Sequence, residues 1–522
     1  MTIASDEPQM AYRSISAEEL RTATYGFDRP FQLHLADNQV FYADKVVRLV
    51  PGRRMVAFGT WLGKSAVVKI FLDASQSKRH RESELAGIEL LHYNNIPTPL
   101  LYHQGQSQTG RLHVLIFERI HHASNLYDMW QHKNHLDEVM PALKAVVVEI
   151  ATQHVLGIMQ HDLHLKNFLV GEKAIYSLDG SQIEKLPYLI PKKSSMKHFA
   201  LLLSQLSVAS EALQESLFHH YAKQRGWLLK EEDFHELTYL VKQWNKERSC
   251  RYEKKIFRDS TQFSRLRRRG KRGMYDRDYA SANFMHFLKN PESAFTDRET
   301  VILKAGRSST VVKIILDDRE LVVKRYNMKS KWHRLRRMLR KTRAFQSWRL
   351  AQKLRLFGIA TAKPVAFIEN YLLLFHGTSY FVTEYVSSMH AGHYFAKSHT
   401  SEKVATMVER ISDLLLRLKK MDMTHGDLKM TNIVIDENEK PMFVDLDGAK
   451  EHTSLKRFRQ VWASDILRFL QNFQREPLLE AQFFLALSVH NKNSDRSPFE
   501  TAQRARSSIL SSSKDSGRTA SS

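Results

Sequence analysis

A single cysteine, Cys250, is the chain's whole supply of thiol, which excludes an internal disulfide or a cysteine-based zinc site and suits a reducing compartment. Long apolar runs are missing too: no stretch of about 18 uninterrupted apolar residues is present, so nothing reads as a membrane span. The opening residues, MTIASDEPQMAYRSISAEEL, carry acids where a signal peptide needs basic residues followed by an apolar core. The expectation is a protein of the cytoplasm or of the inner face of the cytoplasmic membrane. Acid is the other scarcity. Formal net charge is +23, and two runs contain no acid at all, RLRRRGKRG (265–273) and KSKWHRLRRMLRKTR (329–343). Such an excess implies an anionic partner: nucleic acid, anionic lipid or a phosphorylated substrate.

What is present is a repeat. At 522 residues the chain exceeds one ordinary core, and two domains of roughly 250 residues are expected. The same order of elements is legible twice. In the first half, VRLVPGRRMVAFGTWLGKSAVVKIF (47–71) alternates around turns and ends in a β-like run. A helical stretch (RESELAGIELLHYNN), a strand (LHVLIFERI, 112–120) and an amphipathic helix (ALKAVVVEIATQHVLGIM) follow, before IMQHDLHLKNFLVGEKAIYSLDG. In the second half, TVILKAGRSSTVVKIILDDRELVVKRY (300–326), FQSWRLAQKLRLFGIATAKPVAFIE, SYFVTEYV (379–386) and VATMVERISDLLLRLKKM lead to MTHGDLKMTNIVIDENEKPMFVDLDGAK. The pattern predicts an α+β chain in which each half sets a small β-rich lobe on a larger helical lobe. The boundaries expected are 1–255 for the first domain, 256–290 for a basic linker, 291–490 for the second domain and 491–522 for a disordered, Ser-rich tail.

The second phrase has the spacing of phosphoryl transfer. Asn432 lies five residues after Asp427 and Asp445 eighteen after it, with Lys429 two after. The reaction needs an orienter or base for the acceptor hydroxyl, hard ligands for magnesium and positive charge against the phosphates. Asp427, the pair Asn432 and Asp445, and Lys429 can fill those roles. NIVIDENEKPMFVDLD reads as two strands around a turn, which would bring Asn432 to Asp445. Lys324 and Lys69 each end a β-branched run, where a kinase keeps its phosphate lysine. Glu84 on the following helix is the natural partner of Lys69, whereas the corresponding QSWRLAQ offers Lys324 no acid. Gly306, in KAGRSST, is placed for a phosphate-covering loop.

LKAGRSSTVVKI, LVVKRYN, RAFQSWRLAQKLRLFGIATAKPVA, YFVTEYV, THGDLKMTNIVI and FVDLDGAK resemble the lipopolysaccharide core kinases, which phosphorylate Kdo or heptose of the inner core. The first half, with RLVPGRR, VVKIF, GIMQHDLHLKNFLV and YSLDG, resembles a more divergent member of the same group. The resemblance spans roughly residues 45 to 475. It implies two tandem protein-kinase-like domains, ATP and Mg2+ as cofactors and a lipid-linked sugar as acceptor. It further implies Asp427 and Asp162 as bases, Lys324 and Lys69 as phosphate lysines, and Asn432 with Asp445 and Asn167 with Asp179 as metal ligands. Glu384 and Glu118 fall in the segment that contacts adenine. His164 stands where the second half has Lys429, so its charge would depend on protonation.

Other readings compete with a lipopolysaccharide sugar kinase. A RIO-like protein kinase suits the charge, but no Ala-Pro-Glu follows Asp445 and no aromatic-and-basic RNA-binding signature is present, which disfavours nucleic acid. One half could also be a pseudokinase serving as a binding module. In the run 329–343, Trp332, Leu335, Met338 and Leu339 recur at helical spacing among basic residues, as in a helix that meets an anionic membrane.

Overall fold

The computed structural model describes residues 12–133, 135–206, 208, 211–297, 300–327, 341–372, 375–397 and 399–489. Most of the basic run 329–343 and the whole tail 491–522 lie outside the described residues. The chain divides into two compact units, the first comprising 1–206 and 210–248, the second 207–209 and 249–522. The division falls inside the long helix Glu231–Lys255. Both units mix helices with sheets, as expected. Among the described residues no helix is long and apolar enough to cross a membrane.

The first unit opens on a seven-stranded sheet. Its order is Arg13–Ser14, Phe31–His34, Val40–Val50, Arg54–Trp61, Lys64–Phe71, His113–Glu118 and Leu101–Gln106. Strict alternation drives it: Met55, Ala57, Ala66, Val68, Ile70, Val114 and Ile116 point to one face and are buried with Leu20, Phe31 and Phe41. The opposite face receives the helix Ser77–Tyr93, whose Glu84, Ile88 and Leu91 lie one above another and are buried. The rest of the unit adds two small sheets to helices around Met140–Val155, whose Leu143, Val146, Val147 and Ile150 are buried against Phe199, Leu203, Leu217 and Tyr221.

The second unit builds an equivalent sheet in the order Phe263–Arg268, Lys271–Asp276, Pro364–Leu372, Phe375–Glu384, Arg319–Tyr326, Ser309–Leu316 and Val301–Ala305. In each sheet the lysine-bearing strand lies between the second strand of a hairpin and a strand that pairs back to a neighbour. Residues 256–290 are therefore no linker. Phe263–Arg268 and Lys271–Asp276 form an antiparallel hairpin closed by Arg269 and Gly270, with Gly270 at φ 73°. Its basic residues have a physical reason: Leu266 is buried while Arg265, Arg267 and Arg268 face outward on the sheet's edge. Charge there discourages further strand addition. Composition alone had suggested a linker because the alternation is only one apolar side chain deep.

The helix Arg343–Leu356 begins at Thr342, whose side chain accepts from the Phe345 N–H, and buries Ala344, Ser347, Trp348, Ala351 and Leu354. The helix Ser401–Lys420 buries Met407, Val408, Ile411, Leu414, Leu415 and Leu418, and the strand Met423–Thr424 follows directly. The expected hairpin is present as Ile433–Asp436 paired with Pro441–Phe443. Asp436 closes its turn by accepting from the Asn438 and Lys440 N–H groups.

Candidate active site

In the second unit Asp427 lies on the loop between Met423–Thr424 and the hairpin, and three donors hold its carboxylate. Lys429 Nζ stands 3.1 Å from Oδ2, Arg468 Nη2 2.8 Å from Oδ1, and Asn432 Nδ2 donates to Oδ2 at 3.1 Å and to the Asp427 carbonyl at 2.8 Å. Burial pushes the Asp427 carboxyl up, but Lys429, Arg468 and Asn432 outweigh it and hold the group below its ordinary value. The Asn432 amide nitrogen is spent on Asp427, which leaves Oδ1 as the side chain's acceptor.

Asp445 sits at the end of the hairpin with left-handed backbone (φ 57°, ψ 63°), an uncommon state for a residue with a Cβ and one that concentrates at functional sites. Its Oδ1 accepts from Lys324 Nζ at 2.6 Å. The missing acid of Lys324 is also found here: Asp447 Oδ2 lies 2.9 Å from the same ammonium. Asp447 is fixed in turn by Tyr326, whose hydroxyl donates at 2.7 Å, by Ser347 Oγ at 3.3 Å, and by Arg343 at 3.8 Å. Ser347 belongs to the helix face that supplies Glu84 in the first unit. The carboxylate has moved from the helix to the DLDG turn.

Two buried groups that sequence reasoning missed support this loop. Asp465, on the helix Leu455–Leu470, accepts the Gly426 N–H at 2.8 Å. Burial raises its carboxyl above the ordinary range, with the backbone N–H groups and His425 pulling it back. Arg468 lies on the same helix. A signal existed: Asp465 falls among Phe458, Trp462, Ile466 and Phe469, an acid on the buried face of a helix. His425 is buried, and its Nε2 donates to the Val444 carbonyl at 3.1 Å. Gly426 has φ 74°, and a Cβ there would stand 2.3 Å from the Gly448 carbonyl oxygen, so glycine is what lets the Asp427 loop touch the DLDG turn.

Gly306 lies in the turn between Val301–Ala305 and Ser309–Leu316, its N–H bonded to the Ser309 carbonyl and its own carbonyl accepting from Asn327. The Glu384 side chain accepts from the Tyr279 hydroxyl and faces Lys363 at 3.6 Å. Its backbone N–H is taken by the Lys363 carbonyl.

The first unit brings its residues together in another way. Lys69 pairs with the fully buried Glu84 and donates to the Leu178 carbonyl at 3.0 Å. Burial pushes Glu84 up against the pull of Lys69. Glycine again permits the approach: a Cβ on Gly87 would stand 1.8 Å from the Gly180 carbonyl oxygen. Asp179 Oδ1 accepts from both the N–H and the hydroxyl of Ser181, at 3.1 and 2.6 Å, and Asp179 lacks the left-handed backbone of Asp445. Arg54 lies 3.9 Å from Asp179 Oδ2 and 3.6 Å from Glu84 Oε2. Burial opposes ionisation of Asp179, but Lys69, Arg54 and Ser181 carry it down to about 2.

The Asp162 carboxylate makes no hydrogen bond or ion pair among the described residues; only its carbonyl is held, by Asn167 Nδ2 at 2.8 Å. His164 Nδ1 accepts the Lys166 N–H at 3.1 Å. Glu118 Oε2 accepts the Leu100 N–H, and its backbone N–H donates to the Leu100 carbonyl.

Among the described residues no group of three or more His, Cys, Asp or Glu is arranged to hold a metal. The second unit instead offers one carboxylate and one amide oxygen, a donor set suited to magnesium when phosphates and water complete its shell. Residues 295–485 match the model of the lipopolysaccharide kinase (Kdo/WaaP) family, which covers this whole constellation from Gly306 to Arg468. A comparison with curated proteins finds no match.

Proposed function

From the match of residues 295–485 to the lipopolysaccharide kinase (Kdo/WaaP) family model, we propose that the second unit transfers the γ-phosphoryl group of ATP to a sugar hydroxyl, of Kdo or heptose, in the lipopolysaccharide inner core. The observation that carries the reading is two sets of contacts, Lys324 with Asp445 and Asp427 with Asn432 and Lys429, which adjoin where the Val444 N–H donates to the Asn432 carbonyl. Lys324 would face the phosphates, and Asn432 Oδ1 with Asp445 would hold magnesium, which would supply positive charge against the phosphate oxygens. Asp427, held ionised, orients the acceptor hydroxyl. As the hydroxyl oxygen bonds to the γ-phosphorus, the bond to the bridging oxygen breaks, ADP departs, and the hydroxyl proton passes to Asp427 and then to solvent. Lys429, half-exposed beside Asp427, offsets charge on the group in transit.

The acceptor is lipid-linked and anionic, which fits the excess of basic residues and a peripheral position on the inner face of the cytoplasmic membrane. Mass spectrometry of core oligosaccharide after incubation of the purified chain with ATP, Mg2+ and dephosphorylated core should show one added phosphate. Asp427→Ala should reduce that incorporation about 10²–10⁴-fold. Phosphopeptides in place of phosphosugar, or full activity in the variant, would sink the assignment.

A further inference from the structure

Strand register aligns the two lysine hairpins residue by residue. In the first unit Lys69 pairs with Val56, so Phe71, two residues on, pairs with Arg54. In the second unit Lys324 pairs with Val311 and Tyr326 with Ser309. Arg54 thus holds the position of Ser309, and where the second unit has a small buried hydroxyl the first has a guanidinium. That guanidinium faces both acids of its site, Glu84 at 3.6 Å and Asp179 at 3.9 Å, and the side chain is only 22% exposed. Lys69 already pairs with Glu84 through Oε1, while Oε2 makes no hydrogen bond and faces Arg54. Asp179 Oδ1 is already occupied by Ser181.

These residues do not fit a magnesium ion. Ser181 takes one oxygen of Asp179 and Arg54 faces the other, whereas Asp445 gives only Oδ1 to Lys324; a divalent cation at Asp179 Oδ2 would meet the guanidinium in a half-buried site. The cation that magnesium would contribute is built into the chain. Arg48 adds a second: it pairs with Val56, as Lys69 does, and so shares the face of the sheet that carries Lys69 and Arg54. Arginine also suits phosphate better than a point charge, since its planar fork can donate two bonds to one phosphate group.

We propose that the first unit binds the triphosphate of a nucleotide without a divalent metal, Arg54 standing where magnesium would stand. The inference rests on the kinase-like reading of the first unit and is independent of whether the second unit phosphorylates sugar. Asp162, lacking partners for its carboxylate, has no part in it.

The test is calorimetric titration of ATP into the full chain, once in Mg2+ and once in EDTA. In EDTA one ATP should bind per chain, and Arg54→Ser, which installs the second unit's residue, should weaken that binding at least tenfold. Arg54→Lys should retain part of it, and a thermal unfolding midpoint near wild type would show that Arg54→Ser has folded. In Mg2+ a second ATP should bind and should be lost in Asp445→Asn; its absence would count against the second-unit reading and leave the EDTA result standing. No ATP binding in EDTA, or EDTA binding that survives Arg54→Ser and is lost in Lys324→Met, would overturn the proposal. Tripolyphosphate binding as tightly as ATP would overturn the assignment to a nucleotide.

Discussion

Asp447 shows how one residue can take over a role that another element vacated. Lys324 needs a carboxylate to fix its ammonium, and the helix Arg343–Leu356 presents Ser347 where an acid would normally stand. Asp447 supplies the charge from the DLDG turn, held by Tyr326, Ser347 and Arg343. It is a positioning residue, since it acts through the lysine. Asp447→Asn is expected to lower turnover about 10²-fold, the scale of misplacing a catalytic group by about an ångström. Adding Ser347→Glu in that background should return part of the loss by restoring a carboxylate from the helix. Unchanged turnover in Asp447→Asn would remove the role. The doubled acids DLD were visible in sequence, but nothing in the string says that the second one turns back to a lysine 123 residues earlier in the chain, a distance counted from Lys324 to Asp447.

At the scale of elements, three helices of the first unit are locked by one directional relay. His198 Nε2 donates to the Gln160 carbonyl at 2.6 Å, so its Nδ1 must accept from His154 Nε2, 2.8 Å away. His154 Nδ1 then accepts from the Tyr221 hydroxyl at 2.6 Å, whose oxygen accepts from Arg225 at 2.9 Å. Both imidazoles are neutral, and burial pushes His198 down to about 4 and His154 well below the usual histidine range. The unfolded chain binds these protons near pH 6.5 and the folded chain does not, so the unfolded state carries more protons between the two values. Stability present above about pH 6.5 is therefore lost as pH falls towards 4, by about 3 kcal/mol for His198 alone. Denaturant midpoints of the first unit's transition, followed from pH 7 to pH 4, should fall with that slope, and His198→Gln should flatten it. A midpoint indifferent to pH would contradict the relay.

For the whole molecule, the question is which of two similar constellations turns over substrate. Asp427 is gripped by Lys429, Arg468 and Asn432, and the Asp162 carboxylate has no such grip. In the phosphate-incorporation assay Asp162→Ala is expected to keep most of the activity of the full chain, and Asp427→Ala to lose it. The reverse pattern would move catalysis to the first unit. Much of this was legible in the string. The alternating runs around Lys69 and Lys324, the helical periods of 401–420 and 140–155, and the fixed intervals from Asp427 to Asn432 and Asp445 are local properties, set by backbone period and by chemistry that needs short spacings. Other features belong to tertiary structure. Arg54 beside Asp179, Asp447 beside Lys324, Asp465 beneath Gly426 and the basic hairpin at 263–276 all depend on where distant strands and helices meet. Sequence records which groups exist and their local rhythm; packing alone decides which charge answers which, because Coulomb and hydrogen-bond energies depend on separation in space.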